Sequence, residues 1–479
     1  MQIDVYINDK MEVVADVLEK IVFFSVSVMG EDIKLILIWL VAAALFFSVF
    51  LNFVNLRCFG TAWKILLGKY PQNDQSEGQI GAFQALATSL SGTIGLGNIA
   101  GVAVAISLGG PGAALWMAVM GLFGMSTKFA EVVMGVKYRH AREVSGDLKR
   151  FSGGPMYYLR DGFNNRGIPF IGNILAISFS LFAILGSLGA ASLFQTNQAY
   201  QQAMNVTGGD ASFLSDKGWL FGLFMAVIVG LVIIGGIRSI AAVAVKIVPV
   251  MGGLYVLAAL YVIAVHYQNI PDAFMIILKT AFVPEAGVGG FVGALLMGVQ
   301  RASFSNEAGL GTAPIAHSAA RTSDSVRQGL IGMLGPFIDT LVICMITALV
   351  IVITGAYADA GNAGIEGVQL TSRAFEQGLS WFPYVLFLVV FLFAYSTIIS
   401  WSYYGLKGFT YVFGEGHTRE LVFKGVFLFF IIIGASTQLQ HVIRITDALV
   451  LAMAIPNIIG LYLLAPEIKR DLERYLKRL

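Results

Sequence analysis

Charged residues are scarce in this chain. Asp, Glu, Lys and Arg make up 13% of its 479 residues, whereas 57% are hydrophobic. A soluble domain carries roughly 25% charged residues, so the shortage excludes a soluble protein and predicts a polytopic one, embedded in the lipid bilayer. The formal net charge of +2 also argues against a nucleic-acid partner, because such proteins present a basic surface to the phosphates.

Cysteine and histidine are scarce as well. The two cysteines, Cys58 and Cys344, lie in or beside apolar stretches and lack the spacing of a metal site or a disulfide framework. The five histidines fall in predicted loops or at helix ends, without metal-ligand spacing or a nucleophile motif nearby. We therefore expect no cofactor and no enzymatic activity.

What the chain does contain is long apolar runs. About 20 apolar residues cross a bilayer as a helix, and we predict eleven such spans, at 33–55, 79–106, 112–137, 168–203, 219–236, 240–265, 289–318, 327–354, 381–412, 421–438 and 440–464. Residues 1–32 are acidic and lack the basic leader of a secretory signal, so we expect them at the membrane interface. Residues 465–479 form a basic tail.

The Lys and Arg residues set the orientation of these spans. With eleven alternating spans, the segments on the side of the C-terminus hold roughly three times as many Lys and Arg residues as those on the other side. The positive-inside rule assigns the side that is richer in Lys and Arg to the cytoplasm. The sequence thus predicts an N-terminus outside the cell and a C-terminus in the cytoplasm.

A glycine-rich phrase occurs twice. SGTIGLGNIAG, at 91–101, and SNEAGLGTAPIA, at 305–316, each lie in the first span of a group of five, 79–265 and 289–464. Since five is odd, the second group must enter the membrane from the opposite side to the first. This arrangement is the inverted-topology repeat of secondary transporters.

Each phrase predicts a break in its helix. Glycine costs a helix interior about 1 kcal/mol relative to alanine, and an unwound segment presents N–H groups to a carboxylate and carbonyl groups to a cation. Close helix packing through small residues is the alternative for each phrase. A dinucleotide-binding turn would need a preceding strand and a later acidic residue, and the context supplies neither.

Charged residues within the predicted spans are expected to face the bundle and to pair. They are Lys128, Glu131, Arg301, Glu307 and Asp339. Lys128 and Glu131 have i, i+3 spacing and could pair with each other. Glu307, beside the second phrase, could brace the unwound backbone or take part in ion coupling, and we favour the brace.

Three stretches resemble the alanine or glycine:cation symporter family, also called sodium:alanine symporters. They are GTIGLGNIAGVAVAISLGGPGAALWM at 92–117, SGGPMYYL at 152–159 and FSNEAGLGTAPIAHSAA at 304–320. The resemblance covers the chain from about residue 33. It implies an all-α LeuT-type fold of five plus five inverted helices, preceded by one extra helix at 33–55. It also implies sodium-coupled import of small neutral amino acids, such as alanine and glycine, across the cell membrane.

In that family's fold, a sodium site lies between the first and eighth core helices. Carried onto this chain, the resemblance implies backbone carbonyls of Ser91 and Ile94, side-chain hydroxyls of Ser396 and Thr397, and a further carbonyl from Phe393. Sodium would be a transported ligand here.

The substrate site is expected at the two breaks. The N–H groups around Gly95 to Gly97 would hold the carboxylate, with Thr93 and Asn98 nearby. Asn98 could instead give its side-chain carbonyl to a second cation site.

The second break would contribute Phe304, Asn306 and the carbonyls of Ala308 and Gly309, which would accept from the ammonium. Trp401 could cap the pocket and exclude large side chains, or simply pack in the bundle. Gln195 could bind the substrate or a neighbouring helix.

Other functions remain as alternatives. A proton-coupled permease of the same fold would use Glu307 or Asp339 as its proton site, and a sodium symporter of this kind could prefer a larger neutral substrate such as glutamine. An ion channel would need a ring of charges or carbonyls around a pore.

Overall fold

The computed structural model describes residues 3–28, 31–70, 77–145, 148–282, 290–358 and 367–479. Helices are numbered here in chain order. Residues 1, 2, 29 and 30 of the expected interfacial segment and residue 289, the first of the second group of spans, lie outside the described residues.

The N-terminal part is more structured than the sequence suggests. It contains α1 (Ile3–Val22), a hairpin of β1 (Ser25–Val28) and β2 (Glu31–Lys34), then α2 (Leu35–Phe50), α3 (Val54–Arg57) and α4 (Phe59–Leu66). The span expected at 33–55 is shorter as a helix, because Asn52 and Phe53 take left-handed backbone angles, with φ of 53° and 52°, which end α2.

The first group of predicted spans is mostly helical, with a break at residues 94–96. Its first span is α5 (Ala82–Thr93), followed after the break by a π-helical turn (Gly97–Gly101) that leads into α6 (Val102–Gly109). The second is α7 (Ala113–Lys137), and the third is α9 (Pro169–Gly186), which continues through a π-helical segment (Ser187–Gln195) into α10 (Thr196–Val206). The last two are α11 (Gly218–Ile233) and α12 (Gly236–Val265). Between α7 and α9 lie the antiparallel strands β3 (His140–Ser145) and β4 (Leu148–Ser152), followed by α8 (Pro155–Asn164). Short 3-10 turns occupy Gly209–Ala211 and Tyr267–Asn269.

The second group begins after α13 (Ile270–Thr280). It consists of α14 (Gly290–Asn306), α15 (Ala313–His317), α16 (Ser325–Gly332), α17 (Leu334–Pro336), a π-helical segment (Phe337–Cys344), α18 (Met345–Ile353), α19 (Val368–Glu376), α20 (Phe382–Phe413), α21 (His417–Ala435), α22 (Leu439–Leu451) and α23 (Ala454–Leu476). Asp324 starts α16, since its carboxylate accepts from the N–H groups of Val326 and Arg327.

Helix length and apolarity support membrane insertion. Within the described residues, six continuous helical stretches are long and apolar enough to cross a bilayer, and α5 with the Gly97–Gly109 helix forms a seventh that is bent by 50°. Each of the eleven predicted spans coincides with a helix or a run of helices. The count of eleven crossings and the sides of the termini stay predictions.

Candidate functional site

The first glycine-rich phrase forms a break in its helix. Helix α5 ends at Thr93, whose hydroxyl bonds back to the carbonyls of Ser89 and Leu90 at 3.3 and 3.4 Å. The π-helical turn begins at Gly97, which leaves three residues between the two halves. The segment therefore bends as the sequence predicts.

Two buried side chains satisfy the N–H groups of this break. Gly95 N donates to Asn98 Oδ1 at 3.0 Å, and Leu96 N donates to Gln195 Oε1 at 2.8 Å. Gln195 therefore contacts the unwound segment itself, and its role in binding either the substrate or a neighbouring helix stays a prediction. The amide nitrogen of Asn98 donates to Asp339 Oδ1 at 2.6 Å.

The second phrase forms a longer break, between Asn306 and Ala313. Glu307, Gly309 and Gly311 have positive φ angles of 57°, 93° and 79°, so the chain turns here in a conformation that glycine adopts readily. Asn306 Oδ1 accepts from Ala308 N at 2.9 Å, while Asn306 Nδ2 donates to Thr340 Oγ1 at 3.1 Å.

Side chains from α7 and α23 hold the far side of this second break. Glu131 Oε1 accepts from Gly311 N at 2.8 Å and from Asn457 Nδ2 at 2.7 Å. Asn457 Nδ2 also donates to Gly309 O at 2.8 Å, and Tyr158 donates to Asn457 Oδ1. Sequence reasoning missed Asn457 and Tyr158, since neither carries a charge or belongs to a Gly-rich phrase.

The expected ion pair between Lys128 and Glu131 does not form. Glu131 accepts from the second break instead, and Lys128 Nζ has no hydrogen-bond partner in the part of the chain that the structure describes. Arg301 does form an ion pair, with Asp447 on α22. Asp447 Oδ2 also accepts a hydrogen bond from Gln300 Nε2 at 2.6 Å. The i, i+3 spacing was misleading because unwound backbone N–H groups compete for the carboxylate.

Glu307 links three elements. Its Oε2 accepts from Thr312 Oγ1, and its Oε1 accepts from Trp401 Nε1 at 2.9 Å. The same indole N–H lies 3.3 Å from Gly92 O. Glu307 thus ties the second break to α20 beside the end of α5, the arrangement of a brace.

The two broken helices touch each other beside their breaks. A Cβ atom at Gly97 would lie 3.4 Å from both Phe304 Cδ1 and Ser305 Cα. Phe304 packs edge-on against Phe194, with ring centroids 5.2 Å apart. Asp339 bridges the breaks, because its carboxylate accepts from Asn98 and, at 2.9 Å, from Ser305 Oγ.

The five residues expected to bind sodium lie along the contact of α5 with α20. Thr397 Oγ1 donates to Ser91 O at 3.1 Å, and Ser396 Oγ donates to Phe393 O at 3.0 Å. Ser91 Oγ donates to Ser396 O at 2.7 Å. Ile94 directly follows α5, with its N–H bonded to Leu90 O at 2.6 Å.

Hydroxyl and carbonyl oxygens are thus concentrated where the two helices meet, which suits a hard cation. Ser400, which the sequence did not single out, adds a hydroxyl that donates to Ser91 Oγ at 2.9 Å. Among the described residues, no group of three or more His, Cys, Asp or Glu side chains could hold a metal ion.

The whole site is closed to solvent. Of the expected side chains, Phe304 is the most exposed at 7%, and Ser91, Asn98, Phe393 and Ser396 are completely buried. An amino acid can therefore reach the breaks only if the helices around them move apart.

Comparison with known proteins gives consistent matches. The model of the sodium:alanine symporter family matches residues 15–479. The sodium/alanine symporter AgcS of Methanococcus maripaludis is 40% identical over 430 residues, which are 90% of this chain and 91% of that protein. The probable sodium/glutamine symporter GlnT of Bacillus subtilis is 32% identical over 450 residues, 93% of this chain and 88% of that protein.

A solved structure resembles the fold. MhsT, crystallised in complex with L-phenylalanine, matches with a TM-score of 0.58 at 12% identity, covering 84% of this chain and 100% of that one. At this identity the likeness concerns the fold alone, and it supports a LeuT-type architecture.

Proposed function

The chain belongs to the sodium:alanine symporter family, and from this premise we propose that it imports small neutral amino acids, such as alanine and glycine, together with sodium. It is a secondary transporter in a membrane rather than an enzyme. The cell membrane is its proposed location, with eleven crossings, the N-terminus outside and the C-terminus in the cytoplasm.

One observation carries this proposal. The end of α5 meets α20 through oxygen atoms, with Thr397 Oγ1 3.1 Å from Ser91 O. A sodium ion bound by Ser91, Ile94, Phe393, Ser396 and Thr397 would replace these hydrogen bonds and hold the two helices together. Sodium binding would thereby stabilise one arrangement of the bundle over another.

The amino acid is proposed to bind where the two breaks touch. Its carboxylate would compete with Asn98 Oδ1 and Gln195 Oε1 for the N–H groups of the first break, and Gly97 and Thr93 line the same turn. At the second break, the carbonyls of Ala308 and Gly309 and the side chains of Phe304 and Asn306 would surround the ammonium and the small side chain.

Trp401 is proposed to limit the size of the substrate. It is 1% exposed, and its indole N–H is fixed by Glu307, so it cannot swing aside without breaking that hydrogen bond. A rigid ring of this size leaves room for a methyl group more readily than for a long side chain.

Transport then follows by alternating access. Sodium and the amino acid favour the same closed arrangement, so each raises the affinity for the other. One charge crossing 100 mV releases about 2.3 kcal/mol, and at about 1.4 kcal/mol per tenfold this drives more than tenfold accumulation. The helix group that contains the two breaks is the proposed moving unit, which rocks to open the site inward. The proposed inverted repeats are 79–265 and 289–464, and 33–55 is the proposed preceding helix.

Two variants of this function deserve a test. GlnT is described as a probable sodium/glutamine symporter, so a larger neutral substrate is the second candidate. Proton coupling through Glu307 or Asp339 is the third, since both carboxylates are buried beside the breaks.

Uptake by proteoliposomes separates these possibilities. Radiolabelled alanine is supplied with sodium, without sodium, and without sodium at acid pH, and unlabelled glycine, serine, D-alanine and glutamine compete. We expect uptake only with sodium and strong competition by glycine. Equal uptake in sodium-free acid buffer would instead indicate a proton symporter.

The sodium site has its own test. The double variant Ser396→Ala, Thr397→Ala removes two oxygen ligands, and we expect the sodium concentration for half-maximal uptake to rise at least about tenfold, as for loss of hydrogen bonds to a charged group. Ser402→Ala is the matched control, because Ser402 Oγ only bonds back to Ile399 O at 2.7 Å on the same helix. Unchanged sodium dependence in the double variant would rule out this site.

A further inference from the structure

A polar cavity lies away from the breaks. It has a volume of about 280 Å³ and is bounded by the C-terminal part of α20, the turn between α11 and α12, and strand β4. Its lining includes the cationic side chains of Arg150, Arg238 and Lys407 and the ring of Tyr403. None of these residues takes part in the proposed transport site.

The cations of this cavity outnumber its acids. Glu420 also lines it but pairs with Arg150 at 3.3 Å, and Glu415 pairs with Arg142 at 2.8 Å. These pairs leave two cations, Arg238 and Lys407, that form no ion pair with a carboxylate among the described residues.

Polar hydrogens also lack acceptors here. The Tyr403 side chain is 4% exposed, and within the described chain its hydroxyl has no hydrogen-bond partner. Lys407 Nζ donates to Ser152 Oγ at 2.7 Å and lies 5.5 Å from the centre of the Tyr403 ring, which leaves two of its three N–H bonds unused. A buried hydroxyl without a partner is costly, so the cavity lacks an acceptor.

The surroundings of the cavity indicate where such an acceptor comes from. Leu231, Ile234 and Phe413, at the adjoining ends of α11 and α20, are apolar yet 73%, 68% and 51% exposed, as expected for side chains that face lipid. The positive-inside rule predicts that this end of the bundle lies at the cytoplasmic leaflet, where anionic lipids concentrate and basic pockets between helices bind their headgroups.

We propose that this cavity binds the phosphate group of an anionic phospholipid. The Lys407 ammonium and the Tyr403 hydroxyl donate to the phosphate oxygens from inside the cavity, and Arg238 donates from its rim. The acyl chains lie along the exposed apolar surface of α11. The lipid thereby joins the cytoplasmic end of α20 to the turn before α12, whatever amino acid the protein transports.

Native mass spectrometry of the full-length protein tests this directly. Delipidated protein is titrated with phosphatidylglycerol, with phosphatidylcholine and with inorganic phosphate, and bound copies are counted for the unchanged chain, Arg238→Gln, Lys407→Gln and the control Lys246→Gln. Lys246 is an exposed cation on α12 outside the cavity. We expect saturable phosphatidylglycerol binding that weakens about fivefold on loss of each cavity cation and is unchanged in Lys246→Gln.

Other results would overturn the proposal. These are equal binding of phosphatidylglycerol and phosphatidylcholine, equal losses in all three variants, or binding of inorganic phosphate without the lipid. Sodium-driven alanine uptake measured on the same preparations reports separately on the transport function. Because Arg238 is exposed, its variant keeps the test open even where Lys407→Gln does not fold.

Discussion

Among single residues, Glu307 combines a left-handed backbone with a buried, hydrogen-bonded carboxylate. It takes a left-handed backbone conformation, with φ of 57°, that a residue with a side chain rarely adopts. Its carboxylate accepts from Thr312, at the end of the break, and from Trp401 on α20. Glu307, for which the sequence suggests either a bracing or a coupling role, therefore makes the contacts expected of a brace.

The substitution Glu307→Gln tests this role. One carboxylate oxygen becomes an NH₂ group that faces a donor, so we expect the protein to lose about 1–3 kcal/mol of stability while its uptake keeps its dependence on sodium. Thermal unfolding and sodium titration of uptake measure the two effects. Glu376→Gln, an exposed carboxylate on α19, is the control. A normal unfolding midpoint combined with lost sodium dependence would make Glu307 a coupling residue instead.

At the scale of elements, the breaks depend on close approach as well as on backbone freedom. A Cβ atom at Gly95 would collide with Thr397 Oγ1 and would lie 3.0 Å from Gln195 Oε1. The glycine there permits contact among α5, α20 and the helix that carries Gln195. The glycines of SGTIGLGNIAG thus permit both the bend and the close approach of α20 and of the helix that carries Gln195.

We predict that Gly95→Ala lowers sodium-dependent uptake at least about tenfold, because the added methyl group displaces a hydroxyl of the proposed sodium site. Gly252→Ala is the control, since nothing lies within 4 Å of a Cβ atom there and alanine favours a helix. Both variants are compared by uptake per folded protein, judged by size-exclusion chromatography. Full activity in Gly95→Ala would contradict the proposed packing.

Both breaks and their glycines could be predicted from the sequence, because glycine is unfavourable in a continuous helix and the same Gly-rich phrase interrupts two apolar spans. The partners that satisfy the second break could not. Asn457 lies in an ordinary apolar helix, and its contact with Gly309 spans 148 positions, a separation that no local pattern encodes. The short α2 was also unforeseen. Asn is enriched in left-handed conformations, but a bulky residue such as Phe53 rarely adopts one, so an Asn-Phe pair in an apolar run is a weak signal of the turn that ends α2.

At the scale of the whole molecule, one arginine joins the segment before the first broken helix to the segment after the second. Arg139 donates to the carbonyls of Glu77, Ser318, Ala320 and Thr322 at 2.6 to 3.0 Å. Glu77 precedes the first broken helix, and the other three follow the second. A planar guanidinium with several fixed donors suits such a cluster of carbonyls.

We expect Arg139→Lys to loosen this closure, because a single ammonium cannot reach all four carbonyls. Hydrogen–deuterium exchange in 77–80 and 318–322 should become about tenfold faster, and uptake should fall. Arg142→Lys, on the same hairpin but bound to the single acid Glu415, is the control. Unaltered exchange in Arg139→Lys would show that other contacts keep this end closed.

The overall architecture was accessible from the sequence to the level of helices and a LeuT-like fold, because apolar length constrains the helices. Their grouping into two repeats of five spans stays a prediction. Contacts between distant segments were not accessible from the sequence. Thr397 and Ser91, for example, are 306 positions apart.

That same separation bears on how the protein is made. When the ribosome has released the first repeat into the membrane, the end of α5 still lacks the hydroxyls that meet it in the finished molecule, since α20 has not yet been synthesised. The binding site thus comes into being late, once nearly the whole chain has been inserted. A truncated product ending before residue 396 would contain both breaks but lack the α20 partners of Ser91 and Gly92, and we expect quality-control proteases to recognise it.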